Sequence, residues 1–368
     1  MKAQSKKDMT VEEIKNVLSK VYVELIENDI PFKKFPSVML WGSPGVGKSQ
    51  GVKQIAKDIE VKTGKKVVVT DVRLLLFNPV DLRGIPTSNA EKTLAVWLKP
   101  QIFQMDESKE VVNILFLDEI SAAPPSVQAA AYQITLDRVI GEHKIPDNCI
   151  IIAAGNRVSD KSVAYKMPKA LANRLLHLDV CVDSSAWLSW ATENGINSIV
   201  TSFLAYQPTA LNAGNDILDE NDSNSFPTPR SWEMVSNILN ILNGDLDVAY
   251  PLLCGCVGSN IANELILWAE VFNRIPLPEE ICTMTNIGVP VRLEAIYATV
   301  FSLIEYLKKH NSESEVFNAI KYVSKIPQME FKHNFFSFIY KMKEVRRVAA
   351  KVDEFNSWMV NNGLYEDD

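Results

Sequence analysis

The fold follows from one stretch of sequence, Gly42-Ser43-Pro44-Gly45-Val46-Gly47-Lys48-Ser49, which fits the P-loop pattern GxxxxGK[ST]. The apolar run Val38-Met39-Leu40-Trp41 precedes it and predicts a buried strand, and residues 50–63 have the apolar spacing of a helix. A P-loop requires this context of a strand before it and a helix after it. Its glycines let backbone N–H groups converge on phosphate oxygens at the positive N-terminal end of the helix. The sequence therefore predicts a site for the phosphates of a nucleotide.

Individual residues of this loop have expected roles. Lys48 is expected to neutralise the β and γ phosphates of ATP, and the Ser49 hydroxyl is expected to ligate Mg²⁺. The alternative is a glycine turn that only joins a strand to a helix. The predicted nucleotide-binding residues are Gly42, Ser43, Pro44, Gly45, Val46, Gly47, Lys48, Ser49 and Gln50.

A second signal is the segment Asn113-Ile114-Leu115-Phe116-Leu117-Asp118-Glu119, in which an apolar run ends in two carboxylates. A parallel strand of this kind places its acids at the carboxyl edge of the sheet, where ligands bind. We expect Asp118 to hold Mg²⁺ through water and Glu119 to act as the general base on the attacking water. Alone, the pattern also fits a strand that ends in solvated acids. The P-loop upstream favours the catalytic interpretation.

A third signal is Asn156, which follows the apolar run Ile150-Ile151-Ile152-Ala153-Ala154. An amide at the end of that strand is placed to orient the attacking water near the γ-phosphate. The alternative is an ordinary asparagine-containing turn.

The order of strands and helices indicates the fold class. Strand signals at residues 38–41, 67–69, 114–117, 150–154 and 176–180 alternate with helical segments and stop after about residue 185. This predicts an α/β domain with a parallel P-loop sheet covered by helices on both faces, followed by a helical lid and a helical C-terminal extension. The expected domains are 1–185 (nucleotide-binding), 186–265 (lid) and 266–368 (extension).

Taken in order, these motifs resemble those of the AAA+ ATPases. The Ala170-Leu171-Ala172-Asn173-Arg174 segment belongs to the same pattern. The chain is more narrowly similar to the MoxR-like branch, which is related to dynein and midasin. That similarity rests on four further segments: Asp71-Val72-Arg73, Asn78-Pro79-Val80-Asp81-Leu82-Arg83-Gly84-Ile85-Pro86, Ala123-Pro124-Pro125-Ser126-Val127-Gln128-Ala129-Ala130-Ala131-Tyr132-Gln133, and Phe226-Pro227-Thr228-Pro229-Arg230-Ser231-Trp232. The resemblance covers roughly residues 10 to 245.

The resemblance implies roles for three further catalytic residues. Asn156 would be sensor 1, Arg174 the arginine finger that reaches a neighbouring subunit, and Arg230 sensor 2 at the start of a lid helix. Arg138 and Arg157 also lie near the expected subunit boundary and stay open as alternatives for the finger. A planar cation suits charge on a transferring phosphoryl group in each case. One departure from the family pattern is Leu175, where an aromatic residue is typical.

The resemblance also identifies two inserted hairpins, residues 82–100 and 139–148. In related machines such loops face a central pore or a partner, and the alternative is a packed hairpin without a binding role.

Composition and charge narrow the possible functions. The formal net charge of −7 argues against a protein that mainly grips nucleic acid. The sequence has no apolar run long enough for a membrane helix and no leader pattern, so we expect no membrane association and a cytoplasmic location.

Three functions are compatible with these observations. The first is an ATPase that remodels or assembles a protein partner, as a homo-oligomeric and by resemblance hexameric ring. Its client would be a separate chain, such as a von Willebrand A-domain protein. The second is a motor stimulated by nucleic acid, of the helicase or restriction-translocase kind. The third is a nucleotide-dependent ring scaffold.

Overall fold

The computed structural model describes residues 8–157, 165, 167, 172–213, 225–283 and 287–364. The chain forms two compact units, Met1–Asp183 and Ser184–Asp368, and each has its own hydrophobic core. Every strand in the described part of the chain lies in the first unit. Within these described residues, no helix combines the length and apolar character that crossing a membrane requires.

The first unit contains a parallel sheet and two small hairpins. The strands, in chain order, are β1 Asp8–Met9, β2 Val38–Trp41, β3 Lys66–Arg73, β4 Ile85–Ser88, β5 Ala95–Leu98, β6 Val111–Asp118, β7 Val139–Ile140, β8 His143–Lys144, β9 Cys149–Gly155 and β10 Leu176–Val180. The main sheet has six strands in the order β1-β10-β2-β9-β6-β3, and all neighbours are parallel. The antiparallel pairs β4–β5 and β7–β8 form the two inserted hairpins.

Helices cover both faces of the sheet, as the sequence predicts. Helices α1 Val11–Glu27 and α2 Lys48–Thr63 lie on one face, and α3 Pro79–Arg83 and α4 Pro125–Asp137 lie on the other. Successive residues of β2 alternate between the two cores, because side chains of a strand point to opposite faces. Val38 and Leu40 pack with α1 and α2, whereas Met39 packs with α4.

The register of the central strands fixes where the functional segments lie. Trp41 at the end of β2 is opposite Gly155 at the end of β9, and Leu117 near the end of β6 is opposite Ala153. The residues that follow these three strands therefore meet at one carboxyl edge of the sheet.

The second unit is helical throughout its described residues. Its helices are α5 Ser184–Glu193, α6 Ser198–Tyr206, α7 Pro229–Ile241, α8 Leu246–Val257, α9 Ser259–Phe272, α10 Pro278–Thr283, α11 Leu293–Lys309, α12 Glu313–Ser324, α13 Met329–Lys341, α14 Lys343–Ala349 and α15 Asp353–Asn361. Buried residues of α11 to α15 form a core rich in aromatic side chains, including Phe335 and Phe355. The expected division of this half at residue 265 stays a prediction, and that residue lies inside α9.

Candidate nucleotide site at the carboxyl edge of the sheet

The P-loop runs from the end of β2 to the start of α2. Gly47 has φ 98°, a left-handed backbone conformation that favours glycine, and it directly precedes Lys48, the first residue of α2. At Gly42, a Cβ atom would lie 3.0 Å from the carbonyl oxygen of Val180 on β10, so the loop leaves the sheet in close contact with that strand. The helix thus presents its N-terminal end to the loop, which is the arrangement that binds anions.

Lys48 is fixed at the centre of this edge. Its Nζ donates to the carbonyl oxygens of Gly42 at 2.6 Å and Ser43 at 3.0 Å, and to Oδ1 of Asn156 at 2.9 Å. The lysine of the P-loop and the asparagine that follows β9 are therefore in direct contact, although 108 positions separate them in the chain.

Ser49 and Asp118 form the second contact across this edge. The Ser49 hydroxyl donates to Oδ2 of Asp118 at 2.8 Å, and Oδ1 of Asp118 accepts the backbone N–H of Glu119 at 2.9 Å. Asp118 is 9% exposed. The Ser49 hydroxyl and the Asp118 carboxylate thus lie side by side, and both are hard oxygen ligands of the kind that Mg²⁺ prefers. These two residues therefore fit the ion.

Glu119 has an unusual backbone conformation. Its φ of 57° lies in the left-handed region, which is uncommon for residues other than glycine. Its side chain is half-buried, and among the described residues its carboxylate accepts no hydrogen bond and forms no ion pair. The Glu119 carboxylate therefore takes no part in the contact between Ser49 and Asp118 and is able to accept a proton from water.

Asn156 is supported by a residue that the sequence did not single out. The hydroxyl of Ser121 accepts the backbone N–H of Asn156 at 2.8 Å, and the same oxygen lies 2.8 Å from where a Cβ at Gly155 would be. Glycine at 155 thus lets Ser121 approach the strand end and hold the asparagine backbone. The only sequence signal for Ser121 is its position two residues after Glu119.

Charged residues on the neighbouring strand add to the electrostatics of this edge. Partial burial raises the pKa of Asp71 on β3 above its ordinary value, and the charge of Asp118 raises that pKa further. Arg73 and Lys53 oppose the shift. Arg73 is the residue opposite Asp118 in the strand register. Cations from both β3 and α2 therefore offset part of the effect of burial and of the charge of Asp118 on the Asp71 pKa.

The three arginines considered for the finger differ in their surroundings. Arg138 is partly buried and donates to the carbonyl oxygens of Pro146 and Cys149. Arg157 pairs with Asp179, with Nη2 and Oδ1 2.7 Å apart. Arg174 is exposed and has no ion-pair partner in the part of the chain that the structure describes. It precedes β10, so it lies toward the amino edge of the sheet, opposite the P-loop.

Arg230 lies in the second unit. It is the second residue of α7, and its side chain is exposed. Thr228 caps this helix by accepting the backbone N–H of Ser231 at 3.1 Å. The predicted roles of Arg230, of the other arginines and of the residues at the carboxyl edge stay predictions.

Comparisons with known proteins agree with the arrangement of the first unit. Residues 37–177 match the "ATPase family associated with various cellular activities (AAA)". No curated protein sequence is significantly similar to the chain.

Solved structures show a weaker likeness. NtrX from Brucella abortus in complex with ADP is 15% identical with a TM-score of 0.35, and the match covers 90% of this chain and 68% of NtrX. A variant of RuvB from Thermotoga maritima is 15% identical with a TM-score of 0.36, covering 85% of this chain and 91% of RuvB. At these TM-scores the two likenesses carry no argument about activity. The match over residues 37–177 spans the P-loop, Asp118 and Asn156, so this segment of the chain is similar to the AAA ATPase family.

Proposed function

We propose that the protein is a Mg²⁺-dependent ATPase of the MoxR-like kind, which works as a homo-oligomeric, hexameric ring and remodels or assembles a separate protein partner. The observation that carries the ATPase proposal is the pair of contacts at the carboxyl edge. Lys48 reaches Asn156 at 2.9 Å, and Ser49 reaches Asp118 at 2.8 Å. These contacts join the P-loop to the ends of two other strands.

In this proposal the residues of the edge divide the work of hydrolysis. The amides of the P-loop and Lys48 bind the phosphates, and Ser49 and Asp118 hold Mg²⁺, which neutralises charge on phosphate oxygens. Glu119 accepts the proton of the attacking water. Asn156 orients that water, and its position is fixed because its Oδ1 accepts from Lys48 and its backbone N–H donates to the Ser121 hydroxyl.

The surroundings of the arginines favour Arg174 as the finger that acts on a neighbouring subunit. Arg138 and Arg157 are engaged inside their own subunit. Five residues of β10 separate Arg174 from the level of the P-loop, which is about 16 Å at the rise of a strand. Arg174 is thus too far along the sheet to serve its own P-loop and is exposed for a neighbour's. Arg230 is proposed to act as sensor 2.

The surface of the first insert favours a protein partner over nucleic acid. Six large apolar residues in or beside it are exposed, and we call them the insert surface: Leu75, Leu76, Val80, Ile85, Leu94 and Leu98. Single exposed apolar residues are ordinary, but several within one segment indicate an interaction site for protein. Nucleic acid would instead require a basic surface. A von Willebrand A-domain protein is the client that the family resemblance suggests.

Steady-state ATP turnover measured against protein concentration tests the proposal. We expect turnover per subunit of the wild type to rise with concentration as rings form, and Arg174→Ala to lower it about 10³-fold at every concentration. Arg274→Ala is the matched control, because Arg274 is an exposed arginine of the second unit whose one ion pair among the described residues is a 4.0 Å contact with Glu270 on α9. It is expected to be silent.

Two further arms of this experiment separate the rival functions. Stimulation of turnover by DNA would favour a nucleic-acid motor. Glu119→Gln is expected to bind ATP without hydrolysing it. If this variant still remodels its partner, hydrolysis is not needed and the protein is a nucleotide-dependent scaffold. Turnover that is independent of concentration, together with a silent Arg174→Ala, would overturn the ring.

A further inference from the structure

His177 connects two segments that the proposed mechanism treats separately. It lies on β10, next to β2 in the sheet, and its Nδ1 is 2.8 Å from Nε1 of Trp41. Its Nε2 is 2.6 Å from the carbonyl oxygen of Ala172. Trp41 is the last residue before the P-loop, and Ala172 lies two residues before Arg174. One imidazole thus bridges the strand that leads into the P-loop and the turn that carries the arginine.

The two partners of His177 determine its protonation. The indole Nε1 of Trp41 can only donate, so Nδ1 of His177 must accept. The carbonyl oxygen of Ala172 can only accept, so Nε2 must carry the proton. The histidine is therefore the neutral tautomer protonated at Nε2, with both ring nitrogens used. The two rings are nearly parallel, with an interplanar angle of 11° and centroids 6.0 Å apart.

The turn around Arg174 is held on both sides of the arginine. The carbonyl oxygen of Ala172 also accepts the backbone N–H of Leu175 at 3.3 Å, and Leu175 is 7% exposed. Leu176 then donates to the carbonyl oxygen of Ser37 at 3.0 Å. Arg174 stands out between these anchors and lines a cavity of about 320 Å³. The direction of Arg174 therefore depends on the position of Ala172. The carbonyl oxygen of Ala172 is held by two hydrogen bonds, and the one from His177, at 2.6 Å, is shorter than the one from Leu175.

We propose that His177 is a positioning residue, which holds the turn of Arg174 in register with the strand that enters the subunit's own P-loop. This inference rests on the proposed role of Arg174 at a neighbour's nucleotide. Displacing the turn moves the guanidinium, and a misplacement of about 1 Å can cost on the order of a hundredfold in rate. His177 acts on the reaction of the adjacent subunit without touching its nucleotide.

Two substitutions separate the two bonds of the histidine. The amide nitrogen of His177→Gln occupies the place of Nε2 and can still donate to Ala172, so turnover is expected within about threefold of wild type. The shorter side chain of His177→Asn keeps an acceptor for Trp41 but does not reach Ala172, so turnover is expected to fall at least tenfold. Binding of a fluorescent ATP analogue to each variant is expected to stay within about twofold, since the P-loop is unchanged.

A mixing experiment distinguishes positioning of Arg174 from damage to the variant's own site. Glu119→Gln subunits hydrolyse nothing but present an intact Arg174, so adding them to His177→Asn subunits is expected to restore turnover severalfold per His177→Asn site. Arg174→Ala subunits mixed with Glu119→Gln subunits are the reference, and the same restoration is expected there. Thermal unfolding of each variant shows that it is folded.

The outcomes assign failure to one proposal or the other. If the Arg174→Ala mixture is not restored, the proposed action of Arg174 on a neighbour is wrong. If that mixture is restored while His177→Asn alone has wild-type turnover, or is not restored by Glu119→Gln subunits, the positioning role of His177 is wrong. Restoration of both mixtures, with His177→Gln near wild type, supports it.

Discussion

Glu119 combines its proposed role as a base with a backbone conformation that disfavours glutamate. Its φ of 57° costs about 1 kcal/mol or more for a residue with a Cβ atom. The strained residue directly follows Asp118, whose carboxylate accepts the Glu119 N–H. Of the two adjacent acids, only Asp118 contacts Ser49 among the described residues.

Because of this strain, we expect replacement of Glu119 by glycine to stabilise the fold and to lower activity. Glu119→Gly is expected to raise the free energy of unfolding by about 1 kcal/mol, because glycine adopts this φ without steric cost. It is also expected to lower ATP turnover at least a hundredfold, because the general base is lost. Urea unfolding and steady-state turnover measure the two effects.

The control is Lys20→Gly, at an exposed position inside α1 with ordinary helical geometry. Glycine there is expected to lower stability by about 1 kcal/mol and to leave turnover unchanged. A Glu119→Gly variant that loses as much stability as Lys20→Gly would contradict the interpretation of strain.

At the scale of elements, the two inserted hairpins pack closely against each other. His143 on β8 lies 2.9 Å from the carbonyl oxygen of Trp97 on β5. A Cβ at Gly141 would lie 2.6 Å from the carbonyl oxygen of Arg83. The second hairpin leads into β9, which ends at Asn156. The insert surface is therefore linked to Asn156 through the contacts between the two hairpins and then through the backbone of β9.

Gly84 gives a direct test of how tightly the first hairpin is held. Its φ is 92°, and an added Cβ would overlap the carbonyl oxygen of Leu98. Gly84→Ala is expected to cost about 2 to 3 kcal/mol, the sum of backbone strain and displacement of the strand. Thermal unfolding measures the loss.

Gly64→Ala is the matched control, because Gly64 also has a positive φ, of 68°, but a Cβ there would meet nothing within 4 Å. This variant should show the backbone strain alone, about 1 kcal/mol. Equal losses in the two variants would mean that the Leu98 strand yields without cost.

Elements whose signals are local could be predicted from the sequence. The apolar run before the P-loop predicts a strand at residues 38–41, which are the bounds of β2, and the predicted helices on both faces of a parallel sheet are confirmed. Strand β1 was not predicted, because two residues carry no periodicity and their pairing depends on β10. Nothing in the sequence predicts that the apolar stretch at residues 335–359 divides into several helices. This stretch contains parts of α13, α14 and α15, and no glycine or proline marks the breaks.

The candidate site was partly predictable for the same reason. The P-loop and the acids after β6 follow from motifs, and parallel strands bring their carboxyl ends together. The contacts of Asn156 with Ser121 and of His177 with Trp41 depend on strand register and side-chain direction, which a single sequence does not specify.

At the scale of the whole molecule, each unit has a separate core. Buried residues of the first unit pack on the sheet, and those from Ile281 to Met359 form a core of their own. Separate cores predict that residues 1–183 and 184–368 each fold when expressed alone.

ATP with Mg²⁺ at about a hundred times its Kd is expected to raise the Tm of the 1–183 fragment by about 5 to 10 °C, since ligand binding stabilises only the unit that contains the site. The 184–368 fragment should melt cooperatively with an unchanged Tm. The same fragment carrying Lys48→Ala is the control for 1–183. Failure of either fragment to unfold cooperatively would contradict the independence of the two units.

The strand order has a consequence for how the chain is made. Strand β2, which leads into the P-loop, pairs only with β9 and β10, and both are translated over a hundred residues later. At ribosomal speeds of about 5 to 20 residues per second, this apolar strand waits roughly 5 to 20 s for its first partner. Strands β3 and β6 can pair with each other earlier, since only 37 residues separate Arg73 from Val111. Apart from the two-residue edge strand β1, which pairs with β10, strand β2 waits longest for its first partner, so we expect the first unit to depend on protection of this apolar strand during synthesis.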